Sequence, residues 1–169
     1  MLIPWLRRRG RSGGFASPRV RLLELAVAAR YNASRLGLLA ARLRRTYERT
    51  RDPALAKMLR DVLTLQAVLE ILSVRLETLA EVGAVTSDSL SLLRSVLSAA
   101  RQAYGALGPS VDGMLAELEN LVASIAASTG VELEVPDAGR AGEEAMRVLE
   151  EARLVAEQRL GELLQGRQG

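Results

Sequence analysis

Apolar residues recur along this chain at alternating spacings of four and three, the signature of one face of an α-helix. Leu22, Ala26, Ala29, Ala33, Leu36, Ala40, Leu43 and Tyr47 form the first such row. Between Pro18 and Arg51 there is no proline and only one glycine, Gly37. The spacing predicts a long first helix with a heptad-type seam, and its alanines let a neighbouring helix approach closely. Asp52-Pro53 then reads as an N-cap followed by proline at the first helical position. A second helix is predicted to about Val82, with the seam Met58, Val62, Leu65, Leu69, Leu72, Leu76 and Leu79. Leu55, Leu59, Leu63, Val68 and Ile71 widen its apolar face well beyond one seam, so this helix needs partners on two sides or a partner from another chain. A connection of one or two residues forces the two helices antiparallel, as a hairpin of roughly 45–50 Å at 1.5 Å per residue.

Three further helices follow from the same period and its punctuation. Gly83 ends the second helix, and Thr86 or Ser87 caps a third from about 88 to 104, with Leu90, Leu93, Leu97, Ala100 and Tyr104 on one face. Gly105 to Pro109 breaks the chain. A fourth helix covers about 110 to 128, with Val111, Leu115, Leu118, Val122 and Ile125 inward, and Gly130 closes it. Val131 to Pro136 alternates like a strand but has nothing to pair with, so it reads as an extended linker. A last helix spans about 140 to 164, with Ala145, Leu149, Ala152, Ala156, Leu160 and Leu163 inward and Glu143, Glu144, Glu150, Glu151 and Glu157 outward. The predicted fold is all-α: a long antiparallel helical hairpin, two shorter helices and a C-terminal helix that packs back. Its divisions are a flexible apolar-basic N-terminus (1–17), a helical core (18–130), a linker (131–139) and an acidic C-terminal helix and tail (140–169).

Charge changes the picture, because it is split end to end. Residues 1–60 carry 14 Arg and Lys57 against Glu24, Glu48 and Asp52, a net of +12. Residues 61–169 carry 8 Arg against 17 acidic groups, a net of −9, and together they make the whole-chain +3. Such a chain can bind a polyanionic surface with one half and shield that half with the other. Arg21, Arg35, Arg42, Arg45 and Arg49 fall roughly opposite the first apolar seam, at ~100° per residue, as a basic face on helix 1. At the extreme N-terminus, Met1, Leu2, Ile3, Trp5 and Leu6 stand beside Arg7, Arg8 and Arg9. Trp suits the membrane–water interface, and each arginine near an anionic surface adds about 1 kcal/mol of attraction. This segment is predicted to bind anionic membranes. It is too short to span a bilayer, and its apolar run precedes the positive charges, unlike a signal peptide.

Composition limits the chemistry. Apolar residues make up 49% of the chain but aromatics only 3%, so the core must be built from Leu, Val and Ala. There is no Cys and no His, which removes thiol nucleophiles, thiolate metal sites and the usual general base near neutral pH. No P-loop, dinucleotide-binding glycine pattern or nucleophile elbow is present. The paired glutamates of the last helix lack the His at i+3 that a carboxylate metal site uses, and read as a solvated acidic face. The sequence therefore predicts no enzyme, no catalytic residue, no cofactor, no metal and no small-molecule substrate.

The order of these parts resembles ESCRT-III proteins, and the local sequence is similar to the archaeal CdvB branch. Leu65-Gln66-Ala67-Val68-Leu69-Glu70-Ile71-Leu72-Ser73-Val74-Arg75-Leu76-Glu77-Thr78 is similar to the family's second helix. Glu143-Glu144-Ala145, and Ala156-Glu157-Gln158-Arg159-Leu160 after it, are similar to its C-terminal helix. The resemblance spans about residues 18–164. It implies a cytoplasmic, peripherally membrane-associated polymer subunit that remodels membranes in archaeal cell division or vesicle formation. Its partners would be an anionic membrane, further copies of itself, related paralogues and an AAA-type ATPase. Arg159-Leu160 and Leu163 match part of the family's helical ATPase-docking motif, but Ala156 stands where that motif has Leu, so the docking motif is not evident. On this reading Leu55, Leu59, Leu63, Val68 and Ile71 form a polymerisation surface, and the acidic C-terminal helix is autoinhibitory. Two other readings remain open: a small basic helical nucleic-acid-binding protein, and an inert helical-bundle adaptor.

Overall fold

A computed structural model of the chain describes residues 17–83, 85–135 and 139–165. They form five α-helices, with no strand among the described residues: α1 (Pro18–Thr50), α2 (Pro53–Val82), α3 (Ser87–Tyr104), α4 (Pro109–Thr129) and α5 (Gly139–Gln165). Local chemistry sets their ends. The Ser17 hydroxyl accepts from the Val20 N–H, and Pro18 opens α1 with a preset φ. Arg51 closes α1 in the left-handed region at φ 55°, its N–H bonded to the Tyr47 carbonyl, while its guanidinium lies 5.7 Å from the Tyr47 ring centroid. Asp52 then caps α2 through the Ala54 N–H, so the turn takes only two residues. Gly83 and Gly130 end α2 and α4 at φ 72° and 70°, a region that costs glycine little. Thr86 and Ser89 form a capping box at the start of α3.

The two-residue turn sets α1 and α2 side by side as a helical hairpin of about 45–50 Å at 1.5 Å per residue. Helix α2 is the centre of the molecule, packing against α1, α5 and α3, while α4 contacts α1 and α3. The core is aliphatic. Leu22, Leu59, Leu65, Leu69, Leu90, Leu115 and Leu149 are among its fully buried side chains, and Ala26, Ala33, Ala145, Ala152 and Ala156 allow close helix approach. Four seam positions sit nearer the edge than the spacing predicts: Leu43, Tyr47, Leu79 and Leu163 are half-buried. Met58 is 38% exposed, because the core contact of α2 begins one residue later, at Leu59.

Residues 131–135 are non-helical, as predicted, but they are held against α3. The Ser87 hydroxyl donates to the Glu132 carbonyl at 2.6 Å, and the Glu134 N–H donates to the Ser91 hydroxyl at 3.0 Å. Val131 and Leu133 pack on the core. The strand-like alternation has one buried face, and α3 supplies its partners. Arg101 joins α3 to α4 through a bidentate pair with Asp112 (2.8 and 3.1 Å), with Glu119 3.8 Å away.

Candidate functional site

The outward surface of α1 carries the strongest chemical signal. Turning α1 at ~100° per residue places Val20, Val27, Tyr31 and Leu38 directly opposite its buried row, in line with Arg42, Arg45 and Arg49. Val27, Tyr31 and Leu38 are 65%, 64% and 63% exposed. The outward face therefore carries large apolar side chains over its first two thirds, interleaved with the exposed Glu24 and Ser34, and is basic over its last third. Arg35 flanks it, exposed, with its guanidinium 5.9 Å from the Tyr31 ring centroid, within range of a cation–π contact. Arg42, Arg45 and Arg49 are exposed and line a shallow concavity with Thr46 and Glu48. Arg21 does not belong to this face. It is half-buried, turned toward the side of α1 that meets the bundle.

The apolar outward row lies outside the predicted seam, although its signal is in the sequence. Val20, Val27, Tyr31 and Leu38 keep heptad-compatible spacing half a turn away from the first seam, so α1 has two apolar rows and not one. Exposed large apolar side chains aligned on one face and rimmed by arginines mark an interaction surface. The combination also fits a helix lying in a membrane interface, with apolar residues among the acyl chains and cations at the headgroups.

The apolar face of α2 expected as a polymerisation surface is covered in this structure. Leu59, Leu63 and Val68 are buried, and Leu55 and Ile71 are half-buried. The two-sided partners that this wide apolar face requires come from the chain itself: α1 on one side, α5 and α3 on the other. Met1, Leu2, Ile3, Trp5, Leu6, Arg7, Arg8 and Arg9 lie outside the described residues.

Helix α5 seats on α2 and α3 through Ala145, Val148, Leu149, Ala152, Ala156 and Leu160. Ion pairs tie it to α2 at two points, Arg60 to Glu157 at 2.7 Å and Arg159 to Glu70 at 2.6 Å. Its glutamates at 143, 144, 150, 151 and 157 are exposed, as predicted, but they do not cover Arg35, Arg42, Arg45 and Arg49 of α1, which are exposed as well. A groove of about 820 Å³ lies between α1, α2 and α5. Arg44, Arg45 and Arg159 line it beside Glu48, Glu70 and Glu162, so it offers no net charge to a ligand.

Among the described residues, the groups with displaced pKa values lie at helix–helix contacts. The bond from Arg101 holds the Asp112 carboxyl below its ordinary range and raises the Arg101 guanidinium in turn. Burial pushes Glu119 up, and the Tyr104 hydroxyl raises Arg153. These contacts tie α3 to α4 and to α5, and structural pairs of this kind perturb pKa values without any catalytic role. Among the described residues no cluster of carboxylates could hold a metal ion, and no helix is long and apolar enough to cross a membrane. No family model, curated protein or solved structure matches this chain.

Proposed function

We propose that this protein binds anionic membranes peripherally and assembles on them as a membrane-remodelling subunit of the ESCRT-III type. The observation that carries this reading is the outward face of α1: an apolar row at Val20, Val27, Tyr31 and Leu38 that runs into Arg42, Arg45 and Arg49. Apolar side chains inserted beside cations give both the area-dependent and the charge-dependent part of interfacial binding. The N-terminal Leu2, Ile3, Trp5 and Arg7 to Arg9 add a second attachment of the same chemistry. Two signals together convert marginal attachment into stable attachment.

On this reading α5 is autoinhibitory through what it covers on α2. Its release uncovers part of the apolar face that includes Leu59 and Leu63, and a long apolar stripe is an assembly surface. Much of the seat is alanine and the clasps are partly exposed ion pairs, each worth about 1 kcal/mol or less, which keeps the cost of releasing α5 down. Related paralogues would co-assemble through the same surfaces. An AAA-type ATPase would act on the assembly without a docking motif evident in this chain.

The test is flotation with vesicles of anionic or zwitterionic lipid, beside a duplex DNA mobility shift at matched salt. The expected result is binding to anionic vesicles that falls as salt rises, with weak binding to zwitterionic ones. DNA binding without flotation would make this a nucleic-acid-binding protein, and inertness in both would leave a helical adaptor.

A further inference from the structure

The outward faces of α1 and α5 match each other in charge and in spacing. Arg35, Arg42 and Arg49 are exposed on α1 and recur every seven residues. Glu143, Glu150 and Glu157 are exposed on α5 and recur at the same interval. Seven residues make just under two helical turns, so each set runs along one line of its helix with the same small drift. Within one molecule the two rows do not meet, because α1 packs on α2 and α4 whereas α5 packs on α2 and α3; both rows are exposed, with Glu157 paired to Arg60 at 2.7 Å and Glu150 to Arg153 at 3.4 Å.

We propose that a second copy of this chain lays the outward face of its α5, antiparallel, along the outward face of α1. One register sets Arg35 beside Glu157, Arg42 beside Glu150 and Arg49 beside Glu143, with Glu157 and Glu150 sharing the new arginines with Arg60 and Arg153 of their own chain. The same register sets Leu38 against Leu154, two leucines that are 63% and 65% exposed. It also places Tyr31 over Gly161, where the space beside the backbone is open. Burying an aliphatic contact between flanking opposite charges is how antiparallel helix pairs fix partner and orientation. Arg45 falls near Arg147 in this register, a like-charge contact that three opposite-charge pairs outweigh. The occupant follows from charge. The chain's own N-terminus carries Arg7, Arg8, Arg9 and Arg11 and would repel this face, whereas α5 offers glutamates.

The contact is heterologous, since the surfaces on the two copies differ. Each docked copy still presents its own α1 and each receiving copy its own α5, so the contact repeats into a ring or a filament. It also puts the acidic helix over the basic face between molecules, where anionic lipid would compete for the same arginines. The contact uses α5 while it stays seated on α2, so it rests neither on the release of α5 nor on the membrane part of the function proposed above.

The experiment is sedimentation of the full chain without lipid, across concentration and salt, for the parent, Arg42→Glu, Glu150→Arg and the double variant. Both positions are exposed, so the helical content and melting of the singles should match the parent. We expect concentration-dependent association at low salt that salt dissolves, association roughly tenfold weaker in each single variant, and recovery in the double, where the charges are exchanged. A parent that stays monomeric, singles that associate like the parent, or a double as weak as the singles would each overturn the contact. So would protection of the α1 face that is independent of concentration and vanishes when residues 1–16 are deleted, since the occupant would then be the chain's own N-terminus. Vesicle binding plays no part in the readout, so a failure here leaves the membrane reading standing, and a failure of flotation leaves this one.

Discussion

Helices α1 and α5 are built on the same plan and used differently. Both lay an alanine-rich row against α2, through Ala26, Ala33 and Ala40 in one and Ala145, Ala152 and Ala156 in the other. Both turn a charged face to solvent. Helix α1 enters α2 through a two-residue turn capped by Asp52, which fixes its position along the whole hairpin. Helix α5 arrives through a non-helical stretch held by two serine hydroxyls, and is clasped by ion pairs at Arg60 and Arg159. The outward face of α1 is apolar and basic, that of α5 mainly acidic. Similar seams with unlike tethers distinguish the two helices, and on the function proposed above α1 would be scaffold and α5 a removable cover.

The largest effect should come from the helix on which both depend. Leu65 in α2 is fully buried, and Leu65→Ala should lower the unfolding free energy by about 3–5 kcal/mol through lost burial and the cavity left behind. Urea denaturation should then show α1 and α5 lost together; survival of either would mean that α2 is not their common support. The next variant separates the two helices. Ala152 on α5 is fully buried, and Ala152→Leu overpacks the seat at a cost of roughly 1–3 kcal/mol. Amide exchange should rise across α5 and stay unchanged in the middle of α1. Equal acceleration in both would make α5 scaffold as well.

Smaller effects sharpen the account of the hairpin and the α3–α4 contact. A Cβ at Gly37 would stand 2.9 Å from Gln66 Nε2, the free end of a flexible side chain that can move aside. Gly37→Ala should therefore keep most of the helix-propensity gain of up to about 1 kcal/mol, seen as a higher melting temperature. A lower one would show that Gln66 is locked in place. The smallest effect concerns pH. Arg101 holds the folded pKa of Asp112 below its unfolded value, so the pair contributes stability above the ordinary carboxylate range and loses it as pH falls through the depressed value. Glu119 works with the opposite sign: burial raises its pKa, and protonation on acidification relieves that penalty. Asp112→Asn should flatten the acid limb of the melting curve against pH, and Glu119→Gln should steepen it.

Most of the fold was legible because helices built from a four-three period and ended by Gly, Pro, Asp and Thr need little tertiary information. All five inward rows of the helices are buried apart from edge positions such as Met58, Leu79 and Leu163. The site was legible only in part. The exposed arginines at 35, 42, 45 and 49 followed from the period, but Arg21 lies too close to the packing flank to join them. The apolar outward row was missed because a helix assigned one buried face was taken to be polar on the other. On α2, a face too wide for one partner does not reveal whether the second partner is another chain or a later helix of the same one. Only packing shows that α5 and α3 fill that role.

The measurement that bears most directly on the central claim is flotation of the full chain and of its Arg42→Glu, Arg45→Glu, Arg49→Glu triple variant with anionic vesicles at low salt. All three arginines are exposed, so the variant should keep its helical content. The account predicts that the parent floats, that the triple variant loses most of its binding, and that added salt brings the parent down toward the variant. A folded triple variant that floats as well as the parent at every salt concentration would contradict it, and the basic face of α1 would be only a solvated surface.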